Sequence, residues 1–507
     1  MIIFFSIFLT FLNAFLLIKL MPLCHEKSWQ KSILQLIIWL GFILGLNSIS
    51  LFIWMITIGS ITDKFILFEI LTSAILLAFH FKKANKKNAN TIALAREPEK
   101  NTRPGATVNR WISWILLLTF LAFLIISISY FLKNSFSSPT GQWDAWAIWN
   151  LRARFLLGLG ENWKDIYANT VWSHTDYPLL LSNSIARYWT YTKNQTALVP
   201  IFMALFFTTG TIFAIFSSIS AFKGKIIGLL SAIVIMGTPF FYFGSSQYAD
   251  VPLSFFMLAS LILLAMHLQY ENNMRHLTVL LGFYVALAAW TKNEGLLFFT
   301  FFLILYLAMN IFLRKERKII FQRMALLLTG STLIILPLLF MKVSLAPKND
   351  LAPTKTEIII KKLTTVSRYK TIKKGLEKNS KATMPIPITL LFLLSFLTIK
   401  KLNIFKRVTG LGLIIFGGIY YPYLLPLIAL ILLLTNFFPK TQYSRAAIFS
   451  FATINLMLLG YAFTYLITPN ELKWHINTSM NRLFIQLVPS IIFAIALTFS
   501  AKEERGY

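Results

Sequence analysis

One carboxylate stands among three tryptophans in Gln142-Trp143-Asp144-Ala145-Trp146-Ala147-Ile148-Trp149-Asn150, directly after an apolar run from Trp111 to Leu132. Two further breaks in apolar sequence carry ionisable groups: Asp250 in Gln247-Tyr248-Ala249-Asp250-Val251-Pro252, and Lys292 with Glu294 in Thr291-Lys292-Asn293-Glu294-Gly295. Such residues are costly at membrane depth and are functional candidates by default. Carboxylates and an ammonium converging on one face suit the movement of a sugar off a phosphate leaving group. A carboxylate near the acceptor oxygen takes its proton, which is worth roughly 10² to 10⁴ in rate. Cations aimed at the departing phosphate supply what is usually the largest electrostatic contribution. Asp144 fits the base and Asp250 a second catalytic acid. Lys292, Arg152, Arg154 and Arg482 fit the phosphate, arginine as a bidentate fork and lysine as a point charge. Trp143, Trp146, His174, Asp176, Tyr177, Tyr248, Glu294 and His475 are candidate substrate contacts.

The same residues have plainer readings. An aspartate ahead of a helical run is a good N-cap, which applies to Asp144, to Asp176 and to Asp250, whose Val251-Pro252 also looks like a first turn. Lys292 also reads as a snorkelling side chain or a partner of Glu294. Histidines at positions such as 174 and 475 are often structural. Trp143, Trp146 and Trp149 recur every three residues and suit a helix lying in the headgroup region. Gly158-Leu159-Gly160 then stops that helix. Glu69 is expected at the outer end of its span, facing headgroups.

The elements that position these groups follow from composition. The chain has 507 residues, 57% of them hydrophobic and 13% charged, with a mean hydropathy of +0.67. This is the composition of an all-α polytopic membrane protein. A lone cysteine, Cys24, precludes an internal disulfide, no Cys/His cluster has metal-ligand spacing, and a divalent metal is not expected. The formal net charge of +29 arises largely in short loops between apolar runs, where basic residues orient helices, so nucleic acid is not the expected partner. Apolar runs near 2–19, 33–57, 65–81, 111–132, 199–221, 226–243, 251–268, 277–290, 296–313, 324–341, 385–399, 409–437, 446–468 and 483–500 predict about fourteen spans.

Lys and Arg set the orientation. The 82–110 segment, with Lys82, Lys83, Lys86, Lys87, Arg96, Lys100, Arg103 and Arg110, is a cytoplasmic linker by the positive-inside bias. Alternation then puts Asp144, Asp250 and Lys292 outside. It also puts outside the lysine-rich stretch from Lys342 to Pro385, against that bias. Either the topology slips there, or the outer face needs positive charge, which an anionic headgroup or phosphate would explain; the plainer reading is that the stretch is simply solvated. The 408–438 run is long for one helix, and Tyr420-Tyr421-Pro422-Tyr423 reads as a hairpin apex that returns Trp474 to Arg482 to the outer side. The organisation expected is an N-terminal three-helix segment (1–81), the basic linker (82–110), a catalytic membrane core (111–341) with an outer loop at 133–198 folded back as amphipathic helices, a basic outer loop (342–384) and a C-terminal bundle (385–507).

Trp-Asp-Ala-Trp and Tyr-Pro-Leu in the first outer loop, then Tyr-Ala-Asp-Val-Pro, then Thr-Lys-Asn-Glu-Gly, resemble the order of motifs in GT-C fold glycosyltransferases that use polyprenyl-phosphate sugars. The nearest likeness is to bacterial members similar to protein O-mannosyltransferases and the aminoarabinose transferase of lipid A. It covers about 111–341 and the Trp474–Arg482 stretch. It implies a GT-C helix bundle of about 13 to 15 spans, with Asp144 as base and Asp250 as the acid of the second outer loop. A polyprenyl-phosphate sugar would be the donor, and a glycolipid, polysaccharide or protein the acceptor. The implied location is a bacterial inner membrane with the site facing the periplasm, among membrane lipids. Family members commonly carry an acid pair where this chain has Asp144-Ala145, and single acids resemble the metal-independent branch. A non-catalytic lipid or polysaccharide transporter, or a polysaccharide ligase or polymerase, would also show many spans; the first requires polar residues through the midplane.

Overall fold

The computed structural model describes residues 2–23, 28–90, 110–168, 174–269, 275–313, 315–347, 349, 355–384, 386–400 and 402–500. Among these there is helix and no strand. The order begins α1 (Ile2–Leu20), α2 (Trp29–Ile58), α3 (Asp63–Asn90) and α4 (Arg110–Ser137). A π-turn, Ala145–Trp149, leads into α5 (Asn150–Gly158), a 3₁₀ stretch Gly160–Tyr167 and α6 (Leu180–Thr192). Then come α7 (Leu198–Lys223), α8 (Lys225–Met236), α9 (Phe240–Ser245), α10 (Asp250–Gln269), α11 (Arg275–Thr291), α12 (Asn293–Phe312) and α13 (Arg317–Phe340). The chain continues through α14 (Thr356–Thr364), α15 (Val366–Thr383), α16 (Ile386–Leu397), α17 (Ile404–Tyr420), α18 (Leu425–Leu434), α19 (Ser444–Ile467) and α20 (Leu472–Leu497).

All fourteen apolar runs are helical, but they are not fourteen equal spans. Nine of the described helices are long and apolar enough to cross a membrane, which makes this a multi-pass membrane protein. The 226–243 run breaks at Thr238-Pro239, because proline disfavours helical backbone in the residue before it. The 409–437 run breaks at the expected apex, where Tyr421-Pro422 separates α17 from α18. The 82–110 linker is shorter than expected, since α3 continues through Asn90; residues 91–109 lie outside the described residues.

The core forms around α10, whose apolar side chains point in every direction and are buried throughout. A helix hydrophobic all round belongs in the centre of a bundle, and α7, α11 and α20 enclose it. Without a hydrophobic drive between helices in lipid, small residues decide how closely backbones approach. Gly282 of α11 and Gly330 of α13 do this: a Cβ at Gly282 would strike the Leu327 carbonyl, and one at Gly330 the Val279 carbonyl.

Contacts define a common end for the motifs. At one end, Lys223 donates to the Phe499 carbonyl at 2.8 Å. At the other, Gly375 of α15 abuts Ile476 of α20, and Arg368 donates to the carbonyls of Leu466 and Tyr465 at 2.9 and 2.8 Å. The described residues of the 342–384 stretch are therefore at the same end as Asp144, and they are largely helical rather than a loop. The N-terminal segment joins this end through a buried ion pair: Arg187 Nε of α6 lies 2.7 Å from Glu69 Oε1 of α3, and the Tyr191 hydroxyl donates to Glu69 Oε2 at 2.5 Å. Glu69 is thus buried, not exposed to headgroups. A carboxylate there is tolerable only because it is paired and hydrogen-bonded.

Substituting Gly330 by valine forces α11 and α13 apart, and overpacking of this kind costs about 1–3 kcal/mol. The expected result is a lower Tm in detergent than for Gly412→Val, a position where a Cβ meets nothing within 4 Å. Equal melting of the two variants would contradict the close crossing.

Candidate functional site

Two short breaks and one helix start place the site. Between α11 and α12 only Lys292 is non-helical, with φ −160° and ψ 159°. This single extended residue turns its side chain into the bundle, where it is 3% exposed. Gly295 lets the turn close, because a Cβ there would meet the Ala288 carbonyl. The Tyr248–Asp250 break starts α10. The first turn of α20 is capped by Glu471, whose carboxylate accepts from Lys473 N at 3.0 Å and Trp474 N at 2.5 Å. From that start His475, Ser479, Arg482 and Gln486 follow at helical spacing, on one face.

These elements meet at Asp250. Its carboxylate has no exposed surface and collects three donors: Lys292 Nζ at 2.9 Å and Gln486 Nε2 at 2.5 Å on Oδ1, and Arg482 Nε at 3.1 Å on Oδ2. Arg482 reaches on with Nη2 to Asp144 Oδ2, 2.5 Å away, and stacks over the Tyr248 ring with 4.4 Å to the centroid. Lys292 is shared with Glu294 Oε1 at 2.8 Å. Burial works to lower the Lys292 pKa, but the carboxylates of Asp250 and Glu294 overcome it and hold the ammonium above its usual 10.5. A raised folded pKa stabilises the protein fully below the unfolded value, and that stability is lost only as pH rises through the folded one. The pairing is accordingly intact throughout the neutral range. Burial pushes the Tyr248 phenol up to about 12, with Arg482 opposing.

Asp144 differs from Asp250. Its side chain is 16% exposed, it makes no capping hydrogen bond to the π-turn that follows, and among the described residues Arg482 is its hydrogen-bonding partner. Its Oδ1 is left available. The helix-cap reading of Asp144 does not hold. Asp250, expected as a second catalytic acid, has no exposed surface and both oxygens occupied by Lys292, Gln486 and Arg482.

A cavity of about 790 Å³ opens against this network. Trp143, Asp144, His174, Tyr177, Tyr248, Lys292, Glu294, His475 and Arg482 all line it, joined by Tyr461, Tyr465 and Trp474, which sequence reasoning missed. Of the two candidate histidines, His475 also bonds Thr468 Oγ1 through Nδ1 at 2.8 Å, and His174 stacks on Tyr177 with centroids 4.8 Å apart.

Other candidates lie elsewhere. Arg152 is fully buried and donates to the backbone carbonyls of Tyr177 and His174; it shapes the 174–177 turn rather than binding phosphate. Arg154 is exposed and does not line the cavity. Asp176 sits beside the cavity, accepting from Asn293 Nδ2 at 2.9 Å and Lys342 Nζ at 3.0 Å. Lys342 also donates to Asn293 Oδ1 at 2.6 Å. Trp149 is not an interface anchor but core, stacked on Tyr177 at 5.6 Å, whereas Trp143 and Trp146 are half-exposed and pair edge to face. A π-turn does not keep positions 143, 146 and 149 on one side, which is why the three part company.

Around the cavity the charges nearly balance, with Asp144, Asp250 and Glu294 facing Lys292 and Arg482. Among the described residues no three or more His, Cys, Asp or Glu side chains group so as to hold a metal. The Nη1 donors of Arg482 make no hydrogen bond among the described residues and remain available to an anion. No protein-family model, curated protein or solved structure matches this chain, so the function has to be argued from the chemistry of the site.

Removing Lys292 leaves a buried, underpaired Asp250, which typically costs 3–5 kcal/mol. We expect Lys292→Met to lower Tm sharply and Asp250→Asn to restore part of the loss in that background, because it removes the stranded charge. Additive losses in the double variant would show that the two groups do not interact.

Proposed function

We propose that the protein is an integral-membrane glycosyltransferase that moves a sugar from a polyprenyl-phosphate donor to a hydroxyl of a glycolipid, polysaccharide or protein acceptor. The observation that carries this reading is the division of labour between two aspartates. Asp144 is a partly exposed carboxylate with a free oxygen at the cavity wall, and buried Asp250 fixes the arginine that holds it. The order of outer-loop motifs, which resembles that of GT-C transferases, points the same way. The alternation of basic loops along the sequence supports an outward-facing cavity, and with it a bacterial inner membrane and a periplasm-facing site.

In this reaction the acceptor hydroxyl gives its proton to Asp144 Oδ1 as its oxygen attacks the anomeric carbon. The bond from that carbon to the phosphate oxygen breaks, and both electrons leave with polyprenyl phosphate. One displacement inverts the anomeric centre. Arg482, through its free Nη1 donors, and Lys292 offset the negative charge gathering on the leaving phosphate. Trp143, Tyr248 and Trp474 supply ring faces and edges for the sugar. Asp250 does not touch substrate; it keeps the two cations in place. Arg152 and Arg154 have no part in holding phosphate.

Asp144→Asn tests the base. With labelled polyprenyl-phosphate sugar, transfer should fall by roughly 10² to 10⁴ while donor binding is retained. Undiminished transfer by a well-expressed variant would overturn the assignment. Retained binding with no transfer by the native protein for any hydroxyl acceptor would favour a transporter.

Arg482→Lys keeps the charge but loses the fork that reaches both aspartates. The expected signature is a drop in kcat of about tenfold or more, larger than any rise in KM. A change confined to KM would show that Arg482 serves ground-state binding alone.

A further inference from the structure

We propose that α14 and α15 form an interfacial strap that binds the phosphate-bearing headgroups of anionic phospholipids in the leaflet beside the cavity. Four observations lead there. On α15, Lys370, Lys374, Lys378 and Lys381 are all exposed and fall within one narrow face at spacings of four, four and three residues. The opposite face is the buried one, with Ile372, Gly375, Asn379 and Thr383 turned to the bundle. Like charges at such spacings repel one another along a helix, and among the described residues no carboxylate pairs with these four lysines. A row of this kind asks for an anion outside the chain.

The second observation is direction. α15 meets α16 at 80°, so α15 does not continue the line of the apolar helix that follows it but turns sharply away from it. The third is the apolar material beside the lysines. Ile358 and Ile360 of α14, then Val366 and Tyr369 of α15, are 42%, 57%, 66% and 47% exposed. A merely solvated strap has no reason to present them, whereas an interfacial helix buries such residues at the acyl boundary with its lysines at headgroup level. The fourth is location. Arg368 and Lys362 pin the strap to the carbonyls that end α19, next to the cavity and at the end where charge alternation disfavours lysine. Positive charge there needs a local cause, and an anionic headgroup supplies one. The inference does not depend on the reaction proposed above.

The test is site-resolved. The full chain, with Cys24→Ser and a bimane label at Ala382→Cys, is placed in phosphatidylcholine nanodiscs holding 20% phosphatidylglycerol. Quenching by 5-doxyl phosphatidylglycerol is compared with quenching by 5-doxyl phosphatidylcholine. Each lysine near an anionic surface contributes about fivefold to binding, so enrichment of phosphatidylglycerol at the label should be tenfold or more. It should fall toward parity at 1 M salt and in the variant with Lys370, Lys374, Lys378 and Lys381 all changed to Gln. The salt arm needs none of the lysine substitutions and is unaffected by any folding defect of that variant. Equal quenching by the two lipids in the labelled protein that keeps all four lysines would overturn the proposal. So would an enrichment that persists in the fourfold variant.

Discussion

The structure depends on a carboxylate that water cannot reach. Asp250 has no exposed surface, and an ionised group so placed is tolerable only when fully paired. Its three donors come from the α11–α12 turn and from two positions on α20. Meeting that demand therefore fixes where α10, α12 and α20 sit relative to one another at this end of the bundle. The exposed group, Asp144, is then held through the same arginine. One buried charge thus sets the geometry of one accessible charge, and the accessible one is where chemistry can occur.

A second buried pair, Arg187 with Glu69, does comparable work for the N-terminal helices. It ties α3 to α6, and α6 follows directly on the 174–179 turn that presents His174 and Tyr177 to the cavity. Arg152 braces that turn from within by bonding its carbonyls. The three N-terminal helices are therefore part of the scaffold behind the segment that carries α5 and α6 rather than an appendage.

Much of this was legible in the sequence. Ionisable residues stand out against apolar surroundings, so Asp144, Asp250, Lys292 and Glu294 could be picked out, and the Tyr421-Pro422 apex followed from a run too long for one helix. What failed was telling like from like. Arg152, Arg154 and Arg482 are the same residue type; only burial and partners separate a brace for a turn, an exposed side chain and a cavity-lining donor. The partners of Arg482 lie 232 and 338 positions away, beyond any local pattern. Gln486 was passed over because an amide in an apolar helix looks unremarkable, although its place four residues after Arg482 was a usable signal. Trp149 was misplaced because a π-turn breaks the spacing that a regular helix would keep. The long runs concealed short helices for a similar reason: hydropathy reports burial and lipid contact alike.

The central claim is that the cavity beside Asp144 and Arg482 receives a polyprenyl-phosphate sugar. Mass spectrometry of the lipid retained by the gently purified full chain addresses it most directly. The native protein should retain a polyprenyl phosphate, with or without its sugar, and Arg482→Ala should lose it. Retention of that lipid undiminished in Arg482→Ala, or of phospholipid alone even when the donor is supplied, would contradict it.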